Sequence, residues 1–506
     1  MNRVISQDDV IYFVMTDRFF GRDKHSVETA DTAIHGGTLD GIVEKLDYLL
    51  ELGVTAIWIT PVYENIAEHN GSEPYHYYWP KNFDRLDRRL LDGSHLPTST
   101  DPSTLRAFVD TCEGRGMKVI LDMVVNHCGY GAAGGFEANW INREVPADHP
   151  DHEVKLHLAG LPDFNHDRPD VLDHFIRNVV LWIREGNVAN IRMDTVKHVE
   201  KAFWHYFKSQ IRGEAPGLGL IGEVLSEQPS DIPELQGYQN YHDFDALFDF
   251  PLATALRQTL IHDQSPRHWL ARPRLHPDEP RGVLDRDNAM SGGYRNANQL
   301  VTLLDNHDLQ QRIMSHARGK HTGDGEGLQW AVRVCKLCLG ALFTMRGVPQ
   351  LYYGTELGLE GWKQGSNDSD LRRDFPWQII GPDHRPTADH AVAHEIYHWT
   401  RDLIALRKGC DALKYGATIT LWSDDLVYAY LRVAFDDVAL VIINNGYHDM
   451  PHPLPIRLNP DVLPPRVVSS IKGGLAHWQT GESLAVDGDV AGAAVPGKSI
   501  AVYRQT

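Results

Sequence analysis

Short apolar, β-prone runs alternate along this chain with stretches whose apolar residues recur at helical spacing. The runs fall near 10–19, 56–61, 118–125, 188–194, 218–224, 246–250, 300–304 and 342–351. Between the first two, Ile42, Val43, Leu46, Leu49 and Leu50 mark one face of a helix over 41–52, and the same pattern returns over 171–184 after Pro169. Strand and helix in alternation imply parallel strands joined by crossover helices, and eight such units predict an α/β fold, a (β/α)₈ TIM barrel. The segment 128–165 is rich in Gly, His and Pro without clear periodicity, and it is too long for an ordinary βα loop. It predicts a small inserted subdomain after the third strand. Beyond a helical run over 394–408 the texture changes to short alternating runs such as 426–431 and 438–443, the pattern of an antiparallel β-sandwich. The expected organisation is a barrel over 1–127 and 166–410, an insertion over 128–165 and a C-terminal sandwich over 411–506.

Four of the apolar runs end in acidic or imidazole groups, at His127, Asp194, Glu223 and the pair His307-Asp308. One acidic residue after an apolar run is ordinarily a turn or a helix cap. Four of them, far apart in sequence and each at the C-terminal tip of a barrel strand, predict one pocket lined by carboxylates. Breaking a glycosidic bond needs an acid for the leaving oxygen and a second carboxylate for the developing cation. Asp194 and Glu223 end consecutive strands, and neighbouring strands lie close to 5 Å apart. That spacing suits a retaining pair, at roughly 5 to 5.5 Å, better than an inverting pair with a water between its carboxyls. Arg192, two residues before Asp194, faces the same side of its strand, where its charge would keep Asp194 ionised.

The segments 122–127 (DMVVNH), 192–198 (RMDTVKH), 222–224 (GEV) and 305–308 (DNHD) resemble the four ordered sequence regions of the α-amylase family of glycoside hydrolases. Stretches 53–61, 161–165 and 347–354 fit as well, so the resemblance spans roughly 10–361 in the family's order. Asn190 stands where the family usually has Gly, and Leu303 where an aromatic is common. The resemblance implies Asp194 as nucleophile, Glu223 as general acid/base and Asp308 as the carboxylate that grips the sugar hydroxyls. Glu223 must then hold a proton when substrate arrives, so burial and neighbouring carboxylates are expected to raise its proton affinity. It further implies that His127 and His307 bind hydroxyls of the cleaved unit. Tyr78, in the aromatic segment with His76, would stack on that sugar, and Lys197 and His198 would frame the leaving-group side. Arg373 is a candidate for the pocket rim, though a solvated charge run reads equally well. A structural Ca²⁺ held by Asn126, Asp163 and the backbone carbonyl of His198 is implied in the same way.

Composition narrows the partners. The 68 acidic residues outnumber the 49 Lys and Arg, and the net charge of −19 opposes nucleic acid and anionic membranes but suits a neutral α-glucan oligosaccharide. The N-terminal residues lack the apolar core of a secretory signal, no stretch approaches the roughly 20 apolar residues of a membrane span, and five cysteines are sparse and odd in number. A cytoplasmic protein, monomeric or weakly self-associating, is expected. Three other motifs invite rival readings. His394-Glu395-Ile396-Tyr397-His398 has the letters of a zinc-peptidase helix, which would make Glu395 a general base, but Ala393, Ile396 and Trp399 suggest ordinary packing. The glycines of 217–222 precede a strand where a phosphate-binding helix should start, and Cys335 and Cys338 have no second pair to complete a zinc site. The expected activity is retaining cleavage of α-1,4-glucosidic bonds in malto-oligosaccharides or starch fragments. The alternatives are a transglycosylase or cyclomaltodextrinase-like enzyme and, in a different class, a barrel that binds without catalysis.

Overall fold

The computed structural model describes residues 2–22, 31–241, 244–271, 282–287, 293–322, 325–458 and 463–505. The chain divides into two compact units, one of residues 1–225, 237–248 and 363–378, the other of 226–236, 249–362 and 379–506. In the first unit six parallel strands follow one another: β1 (Ile11–Val14), β2 (Ala56–Ile59), β3 (Lys118–Met123), β4 (Asn190–Met193), β5 (Gly219–Gly222) and β6 (Ala246–Leu247). Every residue of β1 to β6 is buried, which is why these strands read as nearly unbroken apolar runs. The second unit carries the parallel pair β7 (Val301–Thr302) and β8 (Val348–Tyr352). Eight parallel strands separated by helices are the succession of a (β/α)₈ barrel.

Three elements differ from the pattern reading. The run over 10–19 gives β1 and then the one-turn helix Thr16–Phe19. The run over 342–351 is divided, its first part ending the helix Glu326–Thr344 and its last part forming β8. Gly347 separates them at φ 101°, and a Cβ there would lie 2.1 Å from Thr302 Oγ1, so only glycine lets the chain turn this close to β7. The helix expected over 41–52 is two pieces, Leu39–Glu44 and Leu46–Leu52, the first capped by Thr38 Oγ1, which accepts from Gly41 N at 2.9 Å. The 128–165 segment contains 3₁₀ turns and the one-turn helix His152–Lys155. Backbone bridges His127–Asp163 and Ile141–Phe164 anchor it beside the end of β3.

Antiparallel strands occupy the C-terminal part of the second unit. One sheet has the order β9-β10-β11-β16-β13, with β9 Ala417–Ser423, β10 Val427–Ala434, β11 Asp437–Asn444, β13 Ala476–His477 and β16 Ser499–Arg504. The other has the order β12-β15-β14, with β12 Leu454–Arg457, β14 Ala485–Asp487 and β15 Val490–Ala493. Alternate residues Ala429, Leu431, Leu440, Ile442, Ile456 and Ala491 share one buried apolar core, which gives the period-two pattern its physical basis. No helix among the described residues is long and apolar enough to cross a membrane.

Candidate active site

Strand register builds the site. Asp122 pairs with Arg192 across β3 and β4, and Met193 with Gly222 across β4 and β5, so Asp194 and Glu223 emerge side by side at neighbouring strand tips. Backbone bonds fix them there: Asp194 N donates to Met123 O at 3.0 Å and Glu223 N to Met193 O at 2.9 Å.

At the centre lies the fully buried guanidinium of Arg192. Its Nη1 donates to Asp122 Oδ1 at 2.9 Å and to Asp194 Oδ1 at 2.6 Å, while Nη2 lies 2.8 Å from Glu223 Oε1. One cation thus bridges the two tip carboxylates and a third behind them. Trp58, Tyr78 and Phe248 surround this guanidinium, with their ring centroids 5.2, 5.9 and 5.9 Å from Arg192 Cζ. Trp58 is itself stacked on Phe13 at 3.6 Å. The three carboxylates hold the Arg192 guanidinium far above its ordinary proton affinity against the opposing effect of burial.

Asp122 is the residue that sequence reasoning missed. It is wholly buried, and its Oδ2 accepts from Trp58 Nε1 at 3.0 Å and from Tyr78 Oη at 2.6 Å. Burial raises its carboxyl to about 7 even though Arg192 and the tyrosine hydroxyl pull the other way. The motif letters place an acid at this position but give no sign that it anchors three separate elements. Tyr78, expected as a stacking ring, has its hydroxyl committed to this acid.

Glu223 is an acceptor on both oxygens, since Oε2 also takes the backbone N–H of Thr195 at 2.9 Å. Two N–H donors thus face this carboxyl, one at each oxygen. Thr195 delivers its N–H from the left-handed region, at φ 51° and ψ 37°. For a β-branched residue that costs on the order of 1–3 kcal/mol.

The other expected residues are placed as follows. His127 is buried, which lowers its pKa and keeps the ring neutral, and its Nε2 lies 3.1 Å from Tyr78 O. His76 Nδ1 accepts from Tyr78 N at 3.0 Å, so this ring shapes the turn that presents the tyrosine. His198 Nδ1 lies 2.9 Å from Glu153 O, and burial lowers its pKa; Lys197 precedes it in the 3₁₀ turn Val196–His198. Arg373 is half-exposed and pairs with Asp370, whereas Arg372 is buried against Tyr75 and lies 2.7 Å from Asp368. Arg373 therefore faces outward, and Arg372 is the fixed member of the pair. His307 and Asp308 stand in the second unit, on the loop after β7, with His307 Nε2 3.1 Å from Asp308 Oδ2. That loop is shaped by Asn306, whose side-chain oxygen accepts from Asp308 N at 2.9 Å and Leu309 N at 2.8 Å.

The residues proposed for a cation also lie together. One end of the Asn126 amide sits 2.8 Å from the His198 carbonyl oxygen and 3.2 Å from Asp163 Oδ1. With nitrogen at that end the amide donates to both; with oxygen there, three hard oxygens converge. Nearby, burial raises the Asp163 carboxyl to about 8, with the charge of Glu200 adding to the rise, and neither Glu200 oxygen accepts a hydrogen bond. Carboxyl, amide and carbonyl oxygens are the donor types that a calcium ion takes. Elsewhere, His394, Glu395 and His398 lie on the helix Ala391–Lys408, where Glu395 takes a hydrogen bond from Lys336 Nζ at 2.8 Å. Among the described residues no group of three or more His, Cys, Asp or Glu could hold a metal, so the peptidase reading has no third ligand. Cys335 and Cys338 are buried within the helix Glu326–Thr344, and residues 216 and 217 form a turn ahead of β5.

A family model described as "Alpha amylase, catalytic domain" matches residues 13–143 and 147–405. A "Beta/alpha-amylase" from Paenibacillus polymyxa is 29% identical over 461 residues, which cover 87% of this chain and 33% of that protein. A "Cyclomaltodextrinase" from Geobacillus thermopakistaniensis is 27% identical over 478 residues, 89% of this chain and 71% of that one. Among solved structures, an α-amylase from Geobacillus thermoleovorans complexed with acarbose superposes with a TM-score of 0.77 at 27% identity, covering 98% of each chain.

Proposed function

Since the chain belongs to the α-amylase family of glycoside hydrolases, we propose that it cleaves α-1,4-glucosidic bonds of malto-oligosaccharides or starch fragments with retention of configuration. The observation that carries this reading is the single guanidinium shared by Asp194 and Glu223 at adjacent strand tips. In the first step Asp194 attacks the anomeric carbon as Glu223 gives its proton to the leaving glycosidic oxygen, which yields a glycosyl ester on Asp194 and a free sugar hydroxyl. In the second, Glu223 takes a proton from water, whose oxygen displaces Asp194. Arg192 Nη1, 2.6 Å from Asp194 Oδ1, holds that carboxylate in place for the attack. Asp308 supplies the third carboxylate, with His127 and His307 as hydroxyl partners.

Transfer to a sugar in place of water is the second reading, and the cyclomaltodextrinase likeness favours keeping it. The product profile on maltotriose, cyclodextrin, pullulan, isomaltose and starch tests both. Glucose and maltose from maltotriose are expected; products longer than the substrate mark transfer, and inertness toward all five defeats the substrate class. We also propose a calcium ion on Asn126, Asp163 and the His198 carbonyl, where it would pin the 128–165 segment to the end of β3. A cytoplasmic setting is proposed from the five cysteines, all buried and unpaired.

A further inference from the structure

Among the described residues large exposed apolar side chains are few, and one of them stands in a pocket. Phe435, 80% exposed, sits at the tip of the turn between β10 and β11. Trp362, 41% exposed, lines instead a pocket of about 440 Å³ together with Gln311, Ser315, Arg318 and Glu360, all within the second unit. That volume falls in the range of roughly 300–1,000 Å³ typical of small-molecule sites.

The platform is held by backbone. Gln311 and Trp362 form an antiparallel bridge, Arg312 N donates to Gly361 O at 3.0 Å, and Gly361 N donates to Ser315 Oγ at 2.6 Å. The loop bearing the indole is therefore fastened to the segment after β7, where Gln311 follows Asp308 by three residues. A flat aromatic face fixed in this way, with an amide, a carboxylate and a guanidinium around it, matches a pyranose, which has one C–H face and a rim of hydroxyls that both donate and accept. We propose that this pocket binds a glucosyl unit of a longer α-glucan, stacked on Trp362 with its hydroxyls toward Gln311, Glu360 and Arg318. The inference rests on the α-glucan reading above and adds a second place at which a chain is held.

The test is affinity electrophoresis in amylopectin gels, run in a Glu223→Gln background so that the polymer is not consumed. Trp362→Ala is expected to reduce the retardation at least threefold and Trp362→Tyr, which keeps a ring, to restore most of it. In otherwise wild-type enzyme, Trp362→Ala should lower the ratio of kcat/KM on amylose to that on maltotriose about fivefold. A thermal melt of each variant checks that folding is intact. Retardation that is absent, or that Trp362→Ala leaves unchanged, in a chain that cleaves amylose overturns this site alone. A chain that neither binds nor cleaves any α-glucan overturns the substrate reading as well.

Discussion

Arg346 and Arg192 are both buried guanidiniums that hold buried carboxylates, one in each unit, and their stoichiometry differs. Arg346 Nη1 pairs with Asp249, while its Nε and Nη2 grip Asp287, Nη2 at 2.6 Å. Burial raises the Asp287 carboxyl here too, against the pull of Arg346 and, more weakly, of Arg432, and Asp249 also caps the helix Phe250–Leu260. One cation thus serves two acids, and every partner is part of the scaffold. Arg192 instead serves three acids, with burial already pushing Asp122 up to about 7. A buried surplus of negative charge costs stability unless something compensates it. At the strand tips the compensation is the oxocarbenium-like transition state itself, so the larger surplus of acids over cations marks the site.

Substitutions can break this contrast. Asp194→Asn should lower kcat on maltotriose by about 10³-fold or more with a little-changed melting curve; near-normal turnover would remove the catalytic assignment. Arg346→Met should do the reverse, costing about 3–5 kcal/mol in denaturant unfolding because it strands two buried acids, while turnover per folded molecule persists. A loss of turnover in a variant of full stability would erase the distinction between frame and site.

Asp122→Asn probes the surplus directly through pH. With the folded carboxyl at about 7 against an ordinary 3.8, the folded chain holds the extra proton between those values, so this group's contribution to stability is complete below about pH 4 and is lost as pH rises through 7. The variant lacks that loss, and its denaturation midpoint should gain on the wild type from pH 4 to 7; parallel curves would contradict the burial argument. Chelation should lower the melting temperature by a few degrees and added Ca²⁺ restore it, with Asp163→Asn abolishing the response; indifference of the wild-type chain would dismiss the ion. The smallest effect is expected for Asn190→Gly. Asn190 Nδ2 donates to Arg3 O at 2.9 Å and Val119 O at 3.2 Å, and its Oδ1 accepts from Ile5 N at 2.9 Å. Losing these bonds should cost about 1–2 kcal/mol and leave the kinetics alone; a changed KM would show that the residue acts beyond the base of β4.

The eight strands were legible because burial on both faces writes them as apolar runs, and their tips were legible because a polar residue ending such a run is conspicuous. The division of 342–351 was not, since a buried helix end and a buried strand are equally apolar and only the contact at Gly347 separates them. Asn190 could be seen as a departure from the family, but its tie to Arg3 and Ile5 spans nearly the whole first unit. Asp122 and the pairing of Arg372 with Tyr75 were hidden for the same reason: each depends on partners brought together only by the fold. Glu223 shows the converse, a residue conspicuous in the sequence whose contacts with Thr195 N and Arg192 Nη2 appear only in the fold.

Thr195 adds a consequence for timing. On the proposed roles Glu223 is emptied of its proton midway through each turnover, and the newborn anion finds the 2.9 Å amide of Thr195 already aimed at it. The awkward peptide is a berth built in advance: the enzyme enters the second half of its cycle with one oxygen of its base already seated before water arrives.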